Sequence, residues 1–528
     1  MKRKRTFDSI ISKLKKIKNQ NHLKLLLDQQ YISDSKEELE YNIDFLSSDM
    51  TFEVITYLDS VQVLTNCILV CRQWFDIIMT RIKFNFRISE RREWKKLSQS
   101  HQKYIDRVEC LHLKYNLLIF TIIQKRFYNL RELDLSGQNC YREGVKCLKS
   151  LKHLTVLNVS KTKCANGVKY IGMIENLTSL NISSVHLENQ DVEHLSSLKK
   201  LTSLDVNNCN LTFEDADIIS RLKSLTFLDI GNNDLGPLGL LPISSMESLQ
   251  TLHINRIWIE SESCESLTKM INLTELYISK NDFGNEGLKW ISSMKNLRVL
   301  DIGNHSIIDA LGDEAAKLVA SLTQLTYLNI SQHEITSSGA KYLTSLTKLT
   351  TLFIDGNEIC DDFLDSISSL KELTYLNISG GQISVKGVKS ISKLPRLTIL
   401  DISECVGCCS EVLKQLGLMK QLTSLHLSLT DLVESVEGFK YWHKNLINLT
   451  YLEMNFCGLD DNAIKWISGL PNLKYLDLQS NDLTDDCIQH LLGMKKLEYL
   501  SLFGNNMTEK KTKRLEKYLK KVAHNSDN

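Results

Sequence analysis

From Leu130 onward the chain repeats one phrase, Leu-x-x-Leu-x-Leu/Ile, at a nearly constant interval. Copies start at Leu130, Leu154, Leu177, Leu201, Leu225, Leu249, Leu273 and Leu297. The series continues at Leu325, Leu349, Leu373, Leu397, Leu422, Leu449, Leu473 and Leu497, sixteen copies in all. A degenerate seventeenth starts at Val108 (VECLHLKYN). Most steps are 24 residues, with longer ones of 28 from Leu297 and 27 from Leu422. A chain with such a period folds as a stack of equal units, each burying its apolar side against its neighbours.

Each unit changes period halfway. The LxxLxL half sends alternate residues to one face, which predicts a short strand with its aliphatics turned inward. The second half has apolar residues at helical spacing, as in "ITSSGAKYLTSLTKL", where Ala340, Leu343 and Leu346 share a face. Acidic or hydroxyl residues precede these runs, as helix starts prefer. The ninth position is Asn at 233, 281, 357, 481 and 505, and Cys at 209, 405 and 457. A small polar side chain there turns the chain and satisfies buried backbone groups.

This pattern resembles the leucine-rich-repeat family. The 24-residue unit, with small residues opening its helix (Gly287-Leu288, Gly339-Ala340, Gly387-Val388), is most similar to the GALA-type subclass. The resemblance implies an α/β solenoid over 108–507: one uninterrupted curved parallel sheet of sixteen or seventeen strands, with helices on the convex face. The two long steps map to bulges on the rim. The C-terminal stretch 508–528, with Leu515, Tyr518 and Leu519 on one side of a charged helix, reads as a cap.

Ahead of the repeats lies a stretch of another kind, IDFLSSDMTFEVITYLDSVQVLTNCILVCRQWFDII, residues 43–78. Ser47, Ser48 and Asp49 signal a helix start, and Met50, Val54 and Leu58 then share a face. Two more short helices are predicted over 61–67 and 69–78. So few residues cannot bury this much apolar surface alone, so the segment either packs on the repeats or keeps a face for a partner.

Residues 46–75 resemble an F-box. The family pattern of Leu-Pro-x-Glu, an Ile-x-x-Tyr-Leu helix, a Leu-rich helix and Val-Cys-x-x-Trp is met by Leu46, Asp49, Val54, Tyr57-Leu58, Leu64, Val70, Cys71 and Trp74. Ser47 stands where the family has Pro, and the spacing from Leu58 to Val70 is about one residue longer than usual. The resemblance implies an all-helical F-box over 41–80, after a basic leader (1–40) and before a helical connector (81–107). An F-box followed by leucine-rich repeats implies the substrate-recognition subunit of a cullin-type ubiquitin ligase. Leu46, Asp49, Val54, Leu58, Leu64, Val70, Cys71 and Trp74 would then bind a Skp-type adaptor, and through it cullin, while the repeats hold a protein substrate. Such a receptor performs no chemistry itself. Two alternatives stand beside it: a leucine-rich scaffold whose N-terminal helices only cap the stack, and a secreted effector.

Other function classes find little support. Lys+Arg and Asp+Glu nearly cancel, leaving a net charge of +1, so wholesale polyanion binding is not indicated. No window is long and apolar enough for a transmembrane helix. The start, MKRKRTFDSIISKLKKIKNQ, lacks the apolar core and cleavage site of a secretory signal. It admits three readings: a solvated leader, a nuclear import signal, or an amphipathic helix at a membrane surface. The fourteen cysteines are irregularly spaced, which fits free thiols in a reducing compartment, and the expected location is cytoplasmic or nuclear. No phosphate loop, zinc-protease or nucleophile-elbow motif occurs, and no cofactor is expected. Cys405, Cys408 and Cys409 lack a second ligand pair at zinc spacing, so no metal is expected either.

The third, fifth and seventh residues of each copy point away from the helices, into the hollow of the stack. Over sixteen copies these 48 positions hold no Lys or Arg, against roughly six expected from 64 in 528 residues. They hold ten acids, Glu453 and Asp477 among them. A nucleic-acid groove would need the opposite sign. Tyr451, Tyr475 and Tyr499 share one position in the last three copies, so they should stack at about the 4.8 Å strand spacing. Aromatics beside acids suit a protein segment carrying Lys or Arg. The candidate substrate-binding residues are Tyr327, Phe353, Tyr375, Tyr451, Glu453, Tyr475, Asp477, Tyr499 and Phe503.

Overall fold

The computed structural model describes residues 84–88, 108–113, 123, 127–138, 140, 142–164, 167–304, 310–508, 511 and 515. The leader, the F-box-like segment with its eight expected adaptor residues, and most of the expected C-terminal cap lie outside the described residues. Of that cap, Leu515 is described, and it is fully buried.

The chain forms two compact units, Met1–Leu211 with Arg221–Leu225, and Thr212–Ser220 with Thr226–Asn528. In the first, strands Phe84–Ile88, Val108–Leu113, Glu132–Asp134, Val156–Asn158, Ser179–Asn181 and Ser203–Asp205 pair in parallel in chain order. In the second, each strand from Phe227–Asp229 to Tyr499–Ser501 pairs in parallel with the next. From Glu132–Asp134 onward helices alternate with the strands. The strand at Phe84–Ile88 corrects the expectation of a helical connector over 81–107. Its sequence, FNFRI, alternates large apolar and polar residues at the period of a strand, and it brings the described strands to eighteen.

The repeat phrase now has a physical reading. From Glu132–Asp134 onward each strand is the third to fifth residue of a copy, with the central Leu buried and, in most copies, the flanking residues half-exposed. The first, fourth and sixth residues form the core, as Leu449, Leu452 and Met454 do. The Thr at the second position serves the stack: Thr350 Oγ1 donates to Thr326 O (2.9 Å), Thr374 to Thr350 O (3.0 Å) and Thr398 to Thr374 O (3.2 Å). The ninth position behaves as expected. Asn357 Nδ2 donates to Ile330 O (3.0 Å) and Asn481 Nδ2 to Met454 O (2.8 Å), each the sixth residue of the preceding copy. Cys209, Cys405 and Cys457 reach the equivalent carbonyls through sulfur, at 3.2, 3.4 and 3.1 Å. His333 does so through Nε2, 2.8 Å from Ile302 O.

Several helices start as the composition suggests. Thr336, Ser384, Asp460 and Thr484 each accept a backbone N–H with the side chain. A second device links copies: Asp361, first residue of one helix, accepts Ser384 N (3.1 Å), and Asp461 accepts Thr484 N (2.9 Å). The 27-residue copy uses its extra length for the 3₁₀ turn Val436–Tyr441 before the short helix Trp442–Asn445. There Phe439 and Trp442 are fully buried, meeting edge to face at 4.7 Å. Of the 28-residue copy, residues 305–309 lie outside the described set.

Candidate functional site

The second unit carries every expected substrate residue. Because the third residue of one copy lies against the third of the next (Tyr451↔Tyr475) and the fifth against the fifth (Glu453↔Asp477), equal positions form rows across the sheet. The open face, opposite the buried Leu row, therefore shows what the copies have in common at those positions.

The aromatic side chains form two runs. The first passes from Phe227 through His253, Tyr277, Tyr327 and Phe353 to Tyr375, with ring centroids 4.1–6.3 Å apart. It stops at the copy where Ile399 and Asp401 take the two positions. The second begins at His426, 4.9 Å from Tyr451. Tyr451 and Tyr475 then stack at 4.1 Å with planes 7° apart, and Tyr475 and Tyr499 at 4.2 Å and 1°. The stacking expected of these three tyrosines is present, and tighter than the ~4.8 Å between strands, so the rings converge on this face. Tyr327, Phe353 and Tyr375 join the first run. Phe503 stands apart, 67% exposed. Phe227, His253, Tyr277 and His426 belong to the same runs and were not singled out, because the aromatic moves between third and fifth positions from copy to copy.

Glu453 is held on the face by four side chains. His426 Nδ1 lies 3.2 Å from Oε2, Tyr451 OH donates to the same oxygen (3.1 Å), and Ser428 Oγ (3.3 Å) and Asn455 Nδ2 (3.2 Å) donate to Oε1. The His426 hydrogen bond, first among several, holds its carboxyl below the usual range. Four neighbours occupy the four lone-pair sites of a carboxylate, so Glu453 supplies charge to the face and little free acceptor capacity. Asp477 differs. It is 5% exposed and accepts from Gln479 Nε2 (3.1 Å) and, at 3.5 Å, from Tyr475 OH. Burial pushes its carboxyl up. Burial also pushes Tyr375 and Tyr451 up to about 12; the protonated Tyr451 hydroxyl is the one that donates to Glu453.

One arrangement here has the order of a hydrolase triad. Ser424 Oγ lies 3.0 Å from His426 Nε2, and His426 Nδ1 faces Glu453. Acyl transfer also needs donors for the developing oxyanion. The backbone N–H groups of Thr423 and Ser424 are both spent on Thr398 O at 2.8 and 3.1 Å. The two contacts fix the orientation of the His426 ring between Ser424 and Glu453. Among the described residues no group of three or more His, Cys, Asp or Glu side chains is arranged to hold a metal ion, and no helix is long and apolar enough to cross a membrane.

A family model described as leucine-rich repeat region matches residues 114–335, 216–405 and 288–524. No curated protein matches the sequence. Among solved structures, the chain is similar to a leucine-rich-repeat protein of Leptospira interrogans, with 23% identity over 83% of this chain and 99% of that one, TM-score 0.44. It is also similar to an internalin of Listeria monocytogenes (20% identity, 67% of this chain and 82% of that one, TM-score 0.37). A further likeness is to the functional domain of InlJ from Listeria monocytogenes, which includes a cysteine ladder (19% identity, 72% of this chain and 74% of that one, TM-score 0.38).

Proposed function

Because the chain belongs to the leucine-rich repeat region family, whose repeats form protein-interaction scaffolds, we propose that it is the substrate receptor of a cullin–RING ubiquitin ligase. In this reading the segment 41–80 is an F-box. Its Leu46, Asp49, Val54, Leu58, Leu64, Val70, Cys71 and Trp74 bind a Skp-type adaptor. The observation that carries the reading is the sequence Val70-Cys71-Arg72-Gln73-Trp74, with Leu46 and Tyr57-Leu58 ahead of it, upstream of a long repeat array.

The open face of the second unit supports the other half of the proposal. Tyr451, Tyr475 and Tyr499 form a stacked strip beside Glu453 and Asp477, and no Lys or Arg occupies the face positions of the sixteen copies. A protein segment with Lys or Arg matches that surface in charge, and aromatic strips are frequent hot spots of protein interfaces. The receptor then works by proximity, raising the effective concentration of substrate lysines near a charged conjugating enzyme. We place this action in the cytoplasm or nucleus.

Co-purification of the full chain with a Skp-type adaptor tests the proposal. Adaptor should be retained by the natural chain and lost from Leu46→Ala with Trp74→Ala. Adaptor retained after deletion of residues 43–78 would sink the F-box assignment and leave a scaffold without a ligase link.

A further inference from the structure

In fifteen of the sixteen copies the eighth residue, just past the strand, has a positive φ of 52–75°. That is the left-handed region, where glycine is free and a side chain is strained. Thirteen of these positions hold Gly or a polar residue, such as Gly137, Asn208, Asn232 and Ser480. Leu429 (φ 59°) and Phe456 (φ 56°), in adjacent copies, hold large apolar side chains instead. Neither is buried in return: they are 54% and 58% exposed. Strain combined with apolar exposure does nothing for the folded state, and an outlier of that kind points to function.

The surroundings give the patch a chemistry. Val406, Val433 and Phe503 are exposed on the same run of loops. From strand end to helix start in the last five copies (403–409, 428–436, 455–460, 479–484 and 503–508), the loops contain Glu404, Asp431, Glu434, Asp460 and Asp482, and no Lys or Arg. Earlier copies do place cations at the eighth position, as Lys161, Arg256 and Lys280 show. Trp258 is also left-handed and exposed, but it stands two residues from Arg256.

We propose that Leu429, Phe456 and Phe503 form the anchor ledge for a partner segment presenting bulky apolar side chains among Lys or Arg, an inference that rests on the reading that the repeats capture a protein. Leu429 and Phe456, both eighth residues, lie one strand spacing apart, about 4.8 Å, and Phe503, the seventh residue of its copy, lies two copies further along the stack, about 10 Å. At ~1.5 Å per residue these intervals match apolar positions i, i+3 and i+10 of one helix face. The occupant is therefore a short basic amphipathic helix, with its apolar side on the ledge and its cations toward the acidic loops.

The test uses the full chain and a fluorescent fourteen-residue peptide with Leu at positions 1, 4, 8 and 11 and Lys elsewhere, followed by anisotropy. The peptide should bind, and versions with Ser for Leu or Glu for Lys should bind at least tenfold more weakly. Leu429→Asn with Phe456→Asn, the residue other copies use, should weaken binding tenfold or more while raising Tm by about 1–3 °C per site. The proposal is overturned by unchanged affinity in that variant, by a Tm that does not rise, by equal binding of the Glu peptide, or by preferential binding to anionic phospholipid vesicles. Adaptor co-purification on the same preparations reports on the F-box alone, so failure of one reading is distinguishable from failure of the other.

Discussion

Tyr451 and Tyr475 lie ring on ring, with centroids 4.1 Å apart and planes 7° from parallel. Two copies of one phrase, in register, put identical side chains at identical places, and Tyr499 extends the stack at 4.2 Å. Removing two of the three rings deletes both contacts. The His426–Tyr451 contact goes too, so Tyr451→Ala with Tyr475→Ala should lower stability by roughly 1.5–4.5 kcal/mol beyond the lost burial, taking about 0.5–1.5 kcal/mol for each of the three ring pairs. The chain should stay folded and adaptor binding should be unchanged, while capture of a basic protein segment weakens. Denaturation and pull-down on the same variant separate the two effects. Normal capture would show that the stack only braces the sheet.

Neighbouring acids on this face should respond to substitution with opposite signs. Glu453, held below its usual range chiefly by the His426 hydrogen bond, contributes stability that is present above its unfolded pKa and lost as pH falls through the folded one. Asp477, raised by burial, behaves in reverse: its contribution is present in acid and is lost as pH rises through its folded pKa. At pH 7 Glu453→Gln should destabilise by roughly 1–3 kcal/mol, and Asp477→Asn should be neutral or stabilising. Thermal denaturation from pH 3 to 7 checks this, and both differences should shrink toward pH 3.

The ninth position should tolerate donors and reject their loss. Asn357 donates to Ile330 O and Ile354 O, and its Oδ1 accepts the His333 and Ile335 N–H groups. Asn357→Ala strands all of these in a dry interior and should cost about 3 kcal/mol or more. At Cys457, whose S–H reaches Leu427 O, Ser keeps a donor and should cost less than Ala. Urea titration of the three variants gives the ranking, and a Cys457→Ala variant more stable than Cys457→Ser would contradict it.

In the 27-residue copy, Trp442 donates its ring N–H to Leu413 O (2.8 Å) and fills space that Gly417 leaves open: a Cβ there would stand 2.6 Å from the indole. Trp442→Ala should cost about 3–5 kcal/mol. Gly417→Ala should also destabilise, because a full-size indole cannot yield. A Gly417→Ala variant with unchanged denaturation would show the indole to be displaceable.

Much of this architecture was legible because the repeat states each rule many times. The buried Leu rows, the polar ninth position and the tyrosine stack each follow from one copy and then recur. What escaped depends on neighbours in space. The Thr hydroxyl ladder is visible only once Thr350 is seen beside Thr326. The His426–Glu453 pair joins residues in adjacent strands with no motif linking them. The strand at Phe84–Ile88 lay in a stretch expected to be helical, where its five-residue alternation is too short to stand out. The strain at Leu429 and Phe456 shows in sequence only across copies, where Gly137, Asn208, Asn232, Gly356 and Gly380 at the eighth position mark it as left-handed.

The most direct measurement is the affinity of a purified Skp-type adaptor for the full chain, by calorimetry, beside Leu46→Ala with Trp74→Ala. A one-to-one complex is expected with the natural chain and at least a hundredfold loss in the double variant, with the repeat array's thermal unfolding unchanged. No measurable complex with the natural chain, or equal affinity in a folded double variant, would contradict this expectation.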